Sequence, residues 1–258
     1  MAIPFALTLA FIAFVALNAA RVVLTLYALT LGAPASSVGV LGGMFYIFPL
    51  LLSWPIGATS DRIGPRRLLL IGAITGTGAL VLPYYVREIG TFYVAAAMCG
   101  LSIAFYHVTL QNLVGVLSKP DQRARNFSNF SLVGATTNFV GPLIAGFSID
   151  HFGHATAALV IVSISAAAFV ALPLGWRVLP GPQRRRAAVA AARAAAAMPA
   201  DPGIWRMLTA SAMVQLGTDL FQFYIPIYGH EIGMSASAIG STLPSTWMMS
   251  SSSKQRST

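Results

Sequence analysis

Charge is what this 258-residue sequence has least of. Only 9% of its residues are Asp, Glu, Lys or Arg, while 56% are hydrophobic; a soluble domain carries about 25% charged residues. That shortage excludes a water-exposed surface and assigns the chain to a bilayer. Cysteine is nearly absent too. The one thiol, Cys99, lies inside an apolar run, so a disulfide framework, a CxxC pair and a Cys/His metal site are excluded, and it reads as a small packing residue. Hydrolytic machinery is missing as well. There is no HExxH, no GxSxG and no P-loop, and His107 and Asp219 are the only histidine and acidic residues within apolar runs. A polytopic enzyme needs a nucleophile and base, or a His/Asp metal cluster, gathered at one depth. The expectation is therefore no enzyme, no metal and no cofactor. The net charge of +9 comes without an aromatic-interleaved basic patch, which leaves nucleic acid without a binding surface.

What is there in quantity is hydrophobic length. A helix needs roughly 20 apolar residues to cross about 30 Å of hydrocarbon. Seven runs meet that need, near residues 4–27, 37–57, 68–86, 91–117, 126–148, 155–176 and 204–228. The first is expected to remain as a span rather than be cleaved as a leader, since no Lys or Arg precedes it and it continues through Arg21 to Tyr27.

Basic residues fall in alternate connections. Arg62, Arg66 and Arg67 follow the second run, and Lys119, Arg123 and Arg125 follow the fourth. Arg177, Arg184, Arg185, Arg186, Arg193 and Arg206 follow the sixth or open the seventh, while the opposite loops hold only Arg87. The positive-inside rule then puts the N-terminus in the cytoplasm and the 28–36 loop outside a plasma (inner) membrane. Residues 177–203 form a basic, Ala- and Pro-rich cytoplasmic linker. Its alanines favour helix and its arginines suit anionic headgroups; a solvated linker fits the same residues.

The linker divides a repeat. At a constant offset of 201, Tyr27 meets Tyr228, Gly32 meets Gly233, Ala35 and Ser36 meet Ala236 and Ser237, and Gly39 meets Gly240. Upstream, Asn18 falls opposite Asp219 and Arg21 opposite Gln222. The chain thus reads as a six-span unit (1–176), the linker (177–203), the start of a second unit with a seventh span and an interrupted eighth (204–243), and a polar tail (244–258). The expectation is a truncated second unit, which sequencing of the DNA downstream of codon 243 would test.

Two motifs name a family. GATSDRIGPRRLLL, from Gly57 to Leu70, resembles the G-x-x-x-D-R-x-G-R-R/K loop of the major facilitator superfamily, with Gly57, Asp61, Arg62, Gly64, Arg66 and Arg67 carrying the match. GATTNFVGPLIAG in the fifth run, from Gly134 through Gly141 and Pro142 to Gly146, resembles the superfamily's G-x-x-x-G-P-x-x-G-G helix, with Ala145 replacing one of the paired glycines. The fourth run departs from the pattern: AAAMCGLSIAFYH has no arginine where many exporters of the superfamily carry one. The resemblance implies an all-α polytopic bundle and transport of a small solute by alternating access, in which two halves rock around a midplane site. It also implies that Asp61 engages a late helix of the second half to close the cytoplasmic side. A transport-inactive fragment, or a half-transporter completed by a second chain, is the alternative.

Ionisable and amide groups inside hydrocarbon usually face a cavity or a partner. The candidates are Asn18, Arg21, His107, Gln111, Asn138, Gln215, Asp219 and Gln222. Arg21 can pair with Asp219, bind a charged substrate group, or extend to the outer headgroups. His107 and Gln111 share a face of the fourth run; the histidine can relay a proton or pack as a hydrogen-bonded ring. The partners expected are the lipid bilayer, a small-molecule substrate and, as one choice of coupling ion, the proton.

Overall fold

A computed structural model describes residues 2–175, 179, 202–237 and 239. Most of the linker, the eighth run past Ile239 and the polar tail lie outside the described residues, as do the side chains of Asp61, Arg62, Gln215, Asp219 and Gln222. The helices are α1 (Ala2–Thr30), α2 (Ala35–Ile63), α3 (Pro65–Tyr85), α4 (Ile89–Leu117), α5 (Arg123–Leu174) and α6 (Pro202–Glu231), with a 3-10 turn at Pro120–Gln122. No strand occurs among the described residues. Five of these helices are long and apolar enough to cross a membrane by length and composition.

α5 joins the fifth and sixth runs. Its 52 residues would extend about 78 Å at 1.5 Å per residue, more than twice the hydrocarbon thickness, so it cannot be one crossing. It turns at Gly153, whose φ of 76° is open to glycine and strained for other residues. The first limb runs alongside α1: Phe130 lies by Phe14, and Asn18 reaches Thr137. Past the bend, the second limb returns. Ser165 meets Thr77 of α3 at 3.0 Å, and Gly175 sits against the Phe5 ring near the start of α1.

α1 is the centre of the bundle, with Ala10, Ala19, Ala20, Val23 and Leu24 fully buried. Because lipid tails are as apolar as the helices, close backbone approach supplies the packing. Gly100 of α4 lies against the Phe45 and Met44 carbonyls of α2, and Gly76 of α3 against Ser102 of α4. Ser102 also donates to the Gly72 carbonyl at 2.7 Å.

The repeat extends to the backbone. α1 and α6 both end on a glycine with positive φ, Gly32 at 82° and Gly233 at 74°. The Ala33 amide donates to the Ala28 carbonyl at 3.1 Å, and the Met234 amide to Gly229 at 2.9 Å. Val38 to Pro34 and Ile239 to Ser235 repeat the next bond. Each pair is 201 residues apart, and each turn closes its helix by the same six-residue hydrogen-bonded ring.

One boundary differs from expectation. The 57–70 motif is not a loop linking two spans: α2 continues to Ile63, leaving only Gly64 between it and α3. Polar residues sustain a helix beyond the hydrocarbon, and Pro65 starts the next one at its first position, where a missing N–H costs nothing.

Candidate functional site

The polar candidates of the first six runs lie on α1, α4 and α5. Asn18 of α1, half-buried, donates to Thr137 Oγ1 across a long 3.5 Å bond, and Thr137 donates to the Gly134 carbonyl at 2.8 Å. One turn on, the Arg21 guanidinium carbon lies 5.6 Å from the Phe45 ring centroid and 5.3 Å from that of Tyr46, both on α2. Cation–π attraction of this kind holds a guanidinium in an apolar setting. Arg21 and Tyr46 have further polar or electrostatic interactions. The expected pairing of Arg21 with Asp219, and the placement of Gln215 and Gln222 beside it, fall on side chains outside the described residues.

His107 forms a ring cluster with Phe14 of α1 at 5.6 Å and Phe130 of α5 at 5.8 Å, while Phe14 and Phe130 are 6.1 Å apart. Its residue surface stays exposed, as does that of Gln111 one turn along α4. Asn138 is half-buried on α5. Neither Phe14, Phe130, Phe45 nor Tyr46 stood out in sequence, since aromatic residues in an apolar helix carry no signal of their own.

The two motifs hold the bundle together. A Cβ on Gly141 would lie 2.7 Å from Asn18 Cβ, 3.0 Å from the Ala19 amide nitrogen and 3.1 Å from the Val15 carbonyl oxygen. Pro142 beside it is buried. Gly134 has open space instead. In the other motif Arg66 donates from Nη2 to the Leu179 carbonyl at 2.5 Å, tying the α2–α3 junction to the chain beyond α5, while Arg67 is exposed. Gly57 rests in ordinary contact with Val108 of α4.

Asp150 was not among the sequence candidates. It sits at the bend of α5, between the fifth and sixth runs and outside both. Its Oδ1 accepts from the Ala236 amide at 3.1 Å and its Oδ2 from the Ser237 amide at 2.9 Å. Partial burial pushes the carboxyl up, but hydrogen bonds from the Ser237 hydroxyl and the two amides, with His151 nearby, hold it below the usual carboxylate range. The available signal was the repeat itself: a helix beginning at Ala236 leaves early amides that need an acceptor.

Comparison with known proteins joins these features to a family. The family model described as Major Facilitator Superfamily matches residues 6–253. The chain is 28% identical over 116 residues to the staphylopine export protein of Staphylococcus aureus, covering 45% of this chain and 29% of that protein. It is 31% identical over 137 residues to the multidrug resistance protein MdtM of Escherichia coli K12, covering 51% of this chain and 31% of that one. The matched regions thus span about a third of these relatives' lengths or less. A bacterial homologue of the lysosomal transporter Spinster, solved in an inward-facing and occupied conformation, shares the fold with a TM-score of 0.65 at 15% identity, over 93% of this chain and 56% of that one. The transporter PepTSo gives 0.58 at 16% identity, over 94% and 51%. With its six-run bundle, its two motifs and a family match along nearly its whole length, the chain is a multi-pass membrane protein belonging to the Major Facilitator Superfamily.

Proposed function

We propose that this chain provides the first half, and the beginning of the second, of a secondary transporter that exports a small solute across the plasma membrane by alternating access. The observation that carries the reading is the collection of Asn18, Arg21, His107, Gln111 and Asn138 within the largely apolar runs of α1, α4 and α5. Polar groups at membrane depth are costly unless they face a route or a partner. Arg21 between two α2 rings suits an anionic or hydrogen-bonding substrate group, and the His107 ring cluster suits an apolar or aromatic one. Export rather than uptake is supported by relatives named as an export protein and a multidrug resistance protein. The alternation of basic connections supports a cytoplasmic N-terminus, with Asp61 closing that side. His107 is the titratable group that would relay a proton on this route.

A second reading has transport begin only when further helices cover α2, which exposes Val40, Ile47, Leu50 and Trp54 along one stripe, the last at 86%. The experiment for both is efflux of a panel of labelled small solutes, staphylopine included, from cells producing the 258-residue chain. Saturable efflux lost on Arg21→Gln supports the first reading. Efflux that appears only on co-production of a second half supports the other, and no efflux in either case refutes the transporter assignment.

A further inference from the structure

Asp150 belongs to the first six-run unit, and the amides it binds, those of Ala236 and Ser237, belong to the second. We infer that this carboxylate is a latch that holds the two units together at the end of the bundle carrying the α1–α2 and α3–α4 turns, and that it must release for that end to open. The inference rests on the alternating-access reading above, in which the two units change their contacts at each end in turn.

Four observations meet at this point. The carboxylate uses one oxygen for each amide, at 3.1 Å and 2.9 Å. A charged acceptor on two donors is stronger than a neutral pair and fixes orientation as well as distance. One turn before it, Gly146 brings the backbones into contact: a Cβ there would lie 2.4 Å from the Ala236 carbonyl oxygen and 2.9 Å from Ser237 Cα. The gripped segment is in turn packed on its own unit, since a Cβ on Gly229 would meet Ile239 Cγ1 at 2.6 Å. A pull on Ala236 and Ser237 is therefore passed to α6 rather than lost in a loose loop. His151, next in sequence, donates from Nδ1 to the Phe147 carbonyl (2.9 Å) and stacks on the Phe147 ring, which fixes the helical turn that carries the carboxylate.

The bond is also placed to be broken. Asp150 is exposed, so water can replace the amides once the units part, and the charge is never stranded in hydrocarbon. A buried ion pair at the same junction would oppose opening far more strongly.

The test is pulsed electron paramagnetic resonance on the full 258-residue chain, reconstituted in lipid, with Cys99→Ala and spin labels on cysteines replacing Phe152 and Ile232. Both residues are exposed, at 59% and 55%, on opposite sides of the latch. With Asp150 intact, one short distance should dominate. Asp150→Ala should raise the ratio of the longer, parted population by about tenfold or more, the range for losing hydrogen bonds to a charged group. Asp150→Asn, which keeps the shape, should give a smaller rise and guards against misfolding of the alanine variant. A second label pair, replacing Lys119 and Met207 at the opposite end, separates the two ideas. If the first pair parts and the second closes, both latch and alternating access stand. If the first pair parts alone, the latch stands and the alternating-access reading fails. If neither variant changes the first pair, the latch is refuted, whatever the second pair or the efflux assay shows.

Discussion

Gly141→Ala adds one methyl group where α5 meets the backbone of α1 closely. The new Cβ meets Asn18 Cβ at 2.7 Å, and behind it the Ala19 nitrogen and Val15 oxygen at 3.0 and 3.1 Å. The last two are backbone atoms of a helix buried nearly all round, so neither can swing aside as a side chain would. Overpacking of this kind costs roughly 1–3 kcal/mol. Gly134→Ala, two turns earlier in the same helix, meets nothing within 4 Å. There the gain in helix propensity, up to about 1 kcal/mol, stands alone. The propensity gain is common to both substitutions, so the Gly141 variant should fall below the Gly134 variant by the overpacking cost alone, roughly 1–3 kcal/mol, which for a chain of this size corresponds to about 2–12 °C in Tm. Cys99 provides the assay. It is the one cysteine and is fully buried, so a thiol-reactive fluorogenic dye reports unfolding of the detergent-purified protein without further engineering. Equal melting of the two variants would refute the close-approach role of Gly141.

Three further outcomes are expected. A cysteine at Gln183 should resist a membrane-impermeant thiol reagent applied to intact cells, whereas one at Ser36 should react; equal labelling would reverse the orientation read from the basic connections. In a double-mutant cycle, Arg21→Gln with Asp219→Asn should cost less than the sum of the single changes if the two charges pair, and additive losses in Tm would mean that they do not. The Asp150 latch should depend on pH with a defined sign. Its carboxyl is held below the usual range in the latched state, so the stabilisation is complete above the ordinary carboxylate value of about 4 and is lost as pH falls through the lowered value. Below that value the parted population should grow in the wild-type chain and stay unchanged in Asp150→Asn.

The membrane fold was legible because its signal is long. Seven apolar runs, alternating basic connections and a 201-residue repeat each span tens of residues, so errors of a few positions do no harm. Ends were less legible. Hydropathy stops at the edge of the hydrocarbon, whereas helical hydrogen bonding does not, and α2 therefore runs through Ser60, Asp61 and Arg62 to Ile63. The bend of α5 was visible as a break between runs but not as a single residue, because only the backbone of Gly153 separates its limbs. Polar positions in the candidate site were conspicuous by rarity; their aromatic neighbours were not. Asp150 was hidden for a third reason. An acidic residue in a connection has an ordinary solvated reading, and only three-dimensional placement puts it against Ala236 and Ser237.

The fifth-run motif has a spacing that explains why one helix serves both units. At about 100° per residue, Gly141 and Gly146 point about 140° apart, while Gly146 and Asp150 lie within about 40° of each other. One face of the helix is thus committed to α1 of its own unit, and the nearly opposite face to the segment at Ala236. Substitutions on the two faces should have separable effects. Gly141→Ala strains the interior of the first unit and should appear in Tm. Gly146→Ala puts a Cβ against a backbone carbonyl of the other unit, and the easiest relief is for the units to part. Its expected signature is a longer distance between labels at Phe152 and Ile232, with little loss of Tm. Should Gly146→Ala instead melt the protein as Gly141→Ala does, with the label distance unchanged, the junction would be a rigid part of one core rather than a moving contact between two.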